Sequence, residues 1–60
     1  MAEPPVETPQ ERLARYRRLA DEARRDAERS QTQELRELYA LLARRWDSLA
    51  DDFERSLKQG

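Results

Sequence analysis

The stretch that decides the fold is residues 35–57, LRELYALLARRWDSLADDFERSL. Its large apolar side chains recur every three or four residues, at Leu35, Leu38, Leu42, Trp46, Leu49, Phe53 and Leu57. This spacing places side chains on one side of an α-helix, whereas a half-buried strand would require alternation with period two. We therefore predict an amphipathic helix here, within an all-α protein.

Length and composition narrow the ways in which such a helix can be stabilised. A chain of 60 residues forms at most one small domain, and a domain of that size buries only about 60% of its unfolded surface. The sequence contains neither Cys nor His, so a disulfide or a usual zinc site cannot add stability. Association with a second subunit or with another protein is the remaining support.

The N-terminal residues differ from the rest of the chain. Residues 1–8, MAEPPVET, are acidic, contain two of the three prolines and show no helical period. We expect a disordered leader there, followed by one helical domain over residues 9–60. The leader has no apolar core typical of a signal peptide, and the longest apolar run, residues 38–43, is far short of the ~20 residues that span a bilayer. We expect a cytoplasmic protein without a membrane span.

Residues 8–11 carry a helix-start signature. Thr8 suits the N-cap, Pro9 suits the first helical position, and Glu11 completes a Thr-x-x-Glu capping box. A first helix is predicted from about residue 9 to 29. Its inward side consists mostly of small residues, since Leu13 and Tyr16 are followed there by Ala20, Ala23 and Ala27. Such a surface permits close approach by a second helix with bulky side chains.

Residues 30–33, Ser-Gln-Thr-Gln, decide between two architectures. Thr32 can cap a second helix over about 33–58, and Ser30 with Gln33 offers another cap. Without Gly or Pro the chain can also continue as one long helix in a coiled coil. We favour an antiparallel hairpin, because it brings Ala20 near Leu42 and Tyr16 near Trp46. In that pairing helix one is too poor in large side chains to cover the end of the stripe formed by Trp46, Phe53 and Leu57.

The two halves together resemble a family. Tyr16-Arg-x-x-Ala-x-Glu-Ala-Arg-x-x-Ala27, followed by Glu34-Leu-Arg-x-x-Tyr-x-x-Leu-Ala-x-x-Trp-x-x-Leu-Ala50, resembles short uncharacterised bacterial helical-hairpin proteins, chiefly from alphaproteobacteria. The resemblance covers residues 16–50. Those proteins usually carry Asp-Pro in the connection, where this chain has Thr32-Gln33. The resemblance implies a helical hairpin and a bacterial setting, and it implies no mechanism.

The residue inventory argues against catalysis. The hydroxyls have no His or Cys nearby, and there is no Gly-rich loop. Asp47 and Asp51 share a helix side, which we interpret as a solvated acidic surface. We predict no enzyme activity, cofactor, metal or small-molecule substrate. A possible anion contact is a group of cations early in helix one, Arg12, Arg15, Arg17 and Arg18, which could support a nucleic-acid-associated regulatory factor. The acids that follow it make that alternative less favoured.

We therefore predict a small non-catalytic module for protein interaction or oligomerisation. The partner is the chain itself, most simply in a homodimer with four helices, or another helical protein. A further alternative is a chain that orders only on its partner. The predicted interaction residues are the apolar side chains in excess of what helix one can hide: Leu38, Leu42, Trp46, Leu49, Phe53 and Leu57.

Overall fold

The computed structural model describes residues 6–59, and it contains two α-helices joined by a short turn. Helix α1 spans Pro9–Arg29 and helix α2 spans Gln33–Gln59. Successive contacts between them run in opposite chain directions, from Arg17 with Glu54 to Arg24 with Asp47. The predicted antiparallel hairpin is therefore confirmed and the continuous helix is wrong, while α2 ends one residue later than predicted. Residues 1–5 of the predicted leader, and Gly60, lie outside the described residues.

Helix α1 begins with the predicted capping box. The Thr8 hydroxyl oxygen accepts a hydrogen bond from the Glu11 backbone N–H at 3.1 Å, and the Glu11 carboxylate accepts one from the Thr8 N–H at 3.4 Å. Pro9 occupies the first helical turn, where its missing N–H leaves no bond unmade. The reciprocal bonds satisfy two backbone donors that the helix itself cannot satisfy.

The turn is made by two hydroxyl side chains that serve different helices. Ser30 has extended backbone angles, and its hydroxyl donates to the Asp26 carbonyl at 2.7 Å, so it closes the end of α1. Thr32 accepts from the Leu35 N–H at 3.2 Å and thereby caps the start of α2. Arg36 reaches back and donates to the Ser30 carbonyl at 2.9 Å. The Thr32 cap is confirmed. The Ser30 hydroxyl is bonded to the end of α1 and does not form the alternative cap with Gln33.

The core between the helices consists of alanine. Ala20 and Ala23 of α1 and Ala43 and Ala50 of α2 are buried, and among the described residues no large side chain is fully buried. Leu42, which was expected near Ala20, remains exposed. Small side chains on both helices let the two backbones approach closely, and the separation of packed helices depends on the side chains at the contact.

An aromatic cluster covers the half of the hairpin distant from the turn. The Tyr16 ring stacks on Trp46, with centroids 5.8 Å apart, and meets Phe53 edge-on at 5.9 Å. The predicted proximity of Tyr16 and Trp46 is confirmed. Both Trp46 and Phe53 are half-buried, so the expectation that helix one leaves this end of the stripe uncovered is wrong for these two rings. One side chain, Tyr16, is large enough to contact both.

No helix within residues 6–59 has an apolar stretch that would carry it across a bilayer.

Candidate protein-interaction surface

Helix α2 presents three different sides around its axis. At 100° per residue, the side toward α1 is centred on Ala43 and Ala50. On one side of that line, Arg17 and Arg24 of α1 face acidic residues of α2. On the other side, an arc of about 120° contains five leucines, with Phe53 at the edge of the arc nearer α1. We call these surfaces the polar flank, formed by Arg17, Arg24, Asp47, Asp51 and Glu54, and the leucine face, formed by Leu35, Leu38, Leu41, Leu42 and Leu49.

The polar flank joins the helices through ion pairs. Arg24 donates to Asp47 at 2.6 Å and, within α1, to Asp21 at 2.5 Å. Arg17 lies 3.1 Å from Asp51 and 3.4 Å from Glu54. The hydrogen bonds that Arg24 donates to Asp21 and then to Asp47 raise the pKa of its guanidinium above its usual value. Every carboxylate of this flank therefore has a cation of α1 beside it.

These ion pairs give Asp47 and Asp51 a structural role. Both were interpreted from sequence as a solvated acidic surface; both side chains are still partly exposed, and each also pairs with an arginine of α1. Sequence spacing identifies pairs within one helix, whereas pairs between helices depend on the register of the hairpin. Within residues 6–59, no group of three acidic residues is arranged to hold a metal ion.

The leucine face has no protein partner within the hairpin that buries it. Its five side chains remain between 39% and 56% exposed. Four of them lie in the half of α2 nearer the turn, where α1 offers small or charged residues, and Leu49 lies just past the middle of the helix. A contiguous group of exposed leucines on one helix side is a common mark of a protein contact surface.

The six predicted interaction residues fall into three groups. Leu38, Leu42 and Leu49 lie on the leucine face and are exposed. Leu57 is 38% exposed near the end of α2, while Trp46 and Phe53 belong to the aromatic cluster inside the hairpin.

Two members of the leucine face were missed as interaction residues. Leu41 lies off the main stripe, and Leu35 was assigned to the stripe facing helix one. A helical wheel with Ala43 and Ala50 pointing toward α1 would have identified Leu35 and Leu41, because it places the leucines beside the helix contact and not within it.

The predicted anion-contact residues do not form one patch. Arg12 lies over the Phe53 ring at 5.7 Å, and Arg15 lies over Tyr16 and pairs with Glu7 at 3.4 Å. Arg17 belongs to the polar flank. Arg18 is exposed, and it makes no ion pair within the part of the chain that the structure describes. Three of the four cations are thus engaged in contacts within the molecule.

A shallow groove between the helices is the main concave surface near the turn. Its floor is Ala27, Ala40 and Ala43, and its walls carry two opposite-charge pairs of residues, Arg24 with Asp47 and Glu28 with Arg44. Arg24 is already paired with acids on both sides. Glu28 and Arg44 also line the groove, and no ion pair joins them within the part of the chain that the structure describes.

No protein-family model matches this chain, and comparisons with curated proteins and with solved structures give no match either. The resemblance to bacterial helical-hairpin proteins stays a prediction.

Proposed function

We propose that this protein is a non-catalytic interaction module that binds an α-helix of another protein molecule on its leucine face. The observation that carries the proposal is the exposure of five leucines on one side of α2. Leu35, Leu42 and Leu49 are seven residues apart, and Leu38 follows Leu35 by three. This is the spacing with which helices pack side by side in coiled coils and bundles.

The energetics favour a helical partner. About half of each leucine side chain is still in contact with water. Covering it would contribute about 1 kcal/mol per leucine, since complete burial of such a side chain is worth about 1.5–3 kcal/mol. Five leucines in a row can therefore offset part of the cost of association, which is several kcal/mol. A flat row of this kind matches a second amphipathic helix better than it matches a compact ligand.

The alternative of a nucleic-acid-associated factor has less support. Binding to phosphates requires cations that are free to replace counterions. Of the four cations predicted for that role, Arg17 holds two carboxylates, Arg15 holds Glu7, and Arg12 lies over an aromatic ring.

Site-specific photo-crosslinking in the native cell tests the proposal. A photoreactive residue at Leu38 or at Leu42 is expected to give a discrete protein adduct, either with this chain or with another protein. The matched control carries the same residue at Ala14, which is exposed on α1, and is expected to give no discrete adduct. Equal labelling from Ala14 and from the leucine face, or no adduct from either, would contradict the proposed function.

A further inference from the structure

We propose that the leucine face is occupied by a second copy of this chain, with the two α2 helices packed antiparallel. The inference rests on the proposed function and deepens it by naming the partner and its orientation. Three observations carry it: the positions of two charges within the leucine face, the placement of opposite charges along its edge, and the small core of the isolated hairpin.

The first observation concerns the row formed by Leu38, Arg45 and Asp52, which are seven residues apart. Helices of a coiled coil contact each other through two core positions in each seven-residue repeat. If Leu35, Leu42 and Leu49 occupy one core position, Leu38, Arg45 and Asp52 occupy the other. A parallel dimer in register would therefore place Arg45 against Arg45 of the second copy, and Asp52 against its own equivalent. Like charges that meet directly across an interface are unfavourable.

An antiparallel arrangement removes both like-charge contacts. If the twofold axis passes near residues 43 and 44, Leu38 lies opposite Leu49 of the second copy. In the same register Leu42 lies opposite Arg45, whose aliphatic stem can cover a leucine while its guanidinium stays in water. Asp52 then lies opposite Leu35 of the second copy at the end of the contact, where it is 3.7 Å from Arg55 of its own helix.

The second observation is charge complementarity along one edge of the leucine face. Glu34 lies near the start of α2 and Arg55 near its end, about 31 Å apart along the axis, so they cannot pair within one chain. In the antiparallel register, Glu34 of each copy lies opposite Arg55 of the other. The twofold axis creates this pair twice, as expected for a surface that complements itself.

The third observation is the size of the core. The four buried residues of the hairpin are all alanines, and within residues 6–59 no large side chain is fully buried. Small domains without disulfides or metals commonly need oligomerisation to bury enough apolar surface. Packing two leucine faces together would supply ten leucines to a shared core, and it would form a bundle of four helices.

The register also places aromatic residues next to the twofold axis. Tyr39 and Trp46 border the leucine face on the side toward α1, and both are half-buried in one hairpin. With the axis near residue 43, Tyr39 lies close to Trp46 of the second copy. Since Trp46 is the only tryptophan, its emission is expected to shift to shorter wavelength as the copies associate.

The first test is the mass of the full chain measured by sedimentation from low-micromolar to sub-millimolar concentration. A rise from monomer to dimer is expected, accompanied by the shift in Trp46 emission. Leu38→Lys is expected to weaken dimerisation at least ~10-fold, because two leucines per dimer are lost from the contact. The matched control Ala14→Lys, at an exposed position of α1, is expected to dimerise like the wild type.

The second test measures orientation and uses the absence of natural cysteine. The double variant Glu34→Cys with Arg55→Cys, treated with a short bismaleimide, is expected to give covalent dimers that join position 34 to position 55. Each single variant is expected to crosslink poorly. Peptides that join 34 to 34 and 55 to 55 would show a parallel dimer and overturn the proposal.

The results separate this inference from the proposed function. A chain that stays helical and monomeric over the whole concentration range overturns the second-copy proposal. If photo-crosslinks from Leu38 and Leu42 then lead to a different protein, the proposed function stands with another partner. If they lead to no protein, both proposals fail.

Discussion

The two flanks of α2 differ in how far the hairpin satisfies their side chains. On the polar flank, Arg17 and Arg24 reach across to Asp47, Asp51 and Glu54, so each carboxylate has a cation nearby. On the leucine face, five apolar side chains remain about half exposed. The charges are satisfied within one chain, while much of the apolar surface is not.

From this difference we infer the hypothesis that the polar flank serves the fold and the leucine face serves association. Exposed ion pairs contribute little to stability, typically about 0–1 kcal/mol, but they help to set the register of the two helices. Exposed leucines contribute little to a hairpin that leaves them in water, and they gain free energy when another surface covers them. The following substitutions test whether fold and association are divided between the flanks in this way.

The largest effect is expected at the alanine core on which both flanks depend. Ala50→Leu forces three additional carbon atoms into a contact where Ala50 is fully buried. Overpacking should separate the helices, break the ion pairs of the polar flank and cost about 3 kcal/mol of unfolding free energy. Urea denaturation followed by circular dichroism measures the loss. The control Ala14→Leu lies at an exposed site of α1, and equal stability of the two variants would contradict the observed core.

The next effect is expected at the aromatic cluster. Tyr16→Ala removes the ring that stacks on Trp46 and meets Phe53 edge-on. We expect a loss of about 2 kcal/mol, less than for a fully buried aromatic residue because Tyr16 is half-buried. Trp46 fluorescence during urea denaturation measures it. Tyr16→Phe keeps both ring contacts and should remain within about 0.5 kcal/mol of the wild type; a larger loss would mean that the hydroxyl matters more than the ring.

A substitution on the leucine face should act on association and leave the hairpin intact. Leu42→Gln is expected to weaken self-association about tenfold, because its apolar surface occurs twice in the dimer. At a protein concentration low enough to keep the chain monomeric, its unfolding free energy should change by no more than about 0.5 kcal/mol, since Leu42 is already exposed. Sedimentation and denaturation measure the two quantities. A large loss of monomer stability would place Leu42 in the core and remove the distinction between the flanks.

The smallest effect is expected on the polar flank, where a substitution should change the stability of the hairpin and leave association unchanged. Arg17→Gln removes the ion pairs with Asp51 and Glu54. We expect a loss of about 0.5 kcal/mol in unfolding free energy that diminishes as salt is added, because these charges are exposed. The association constant should stay unchanged. If Arg17→Gln instead weakened association as strongly as Leu42→Gln, the polar flank would itself be part of the contact surface.

Much of the fold could be predicted from local chemistry. Thr8, Pro9 and Glu11 form a capping box that involves only neighbours in the chain, and the structure contains it. Thr32 could be identified as a cap for the same reason, although no Gly or Pro marks the turn. The hydroxyl of Ser30 was harder to assign, because it could serve the end of α1 or the start of α2, and only its observed bond to the Asp26 carbonyl decides between them.

The candidate site could be predicted only in part. Leu38, Leu42 and Leu49 were identified because an excess of apolar surface is visible in the sequence. Their position beside the helix contact was not predicted, because it depends on which side of α2 faces α1. Tyr16 was predicted near Trp46, but Trp46 and Phe53 were assigned to an uncovered end, because the edge-on contact of Tyr16 with Phe53 depends on how the two helices pack.

The sequence by itself determined the two helices, their caps and the presence of more apolar surface than one short helix can cover. These features follow from side-chain period and from hydrogen bonds between near neighbours. Only the tertiary structure decided that Ala43 and Ala50 lie inside while the larger leucines stay outside. Hydrophobicity alone ranks leucine above alanine for burial, but the helix pair packs through its small residues. Their close approach turns the leucine face sideways, where α1 does not bury it.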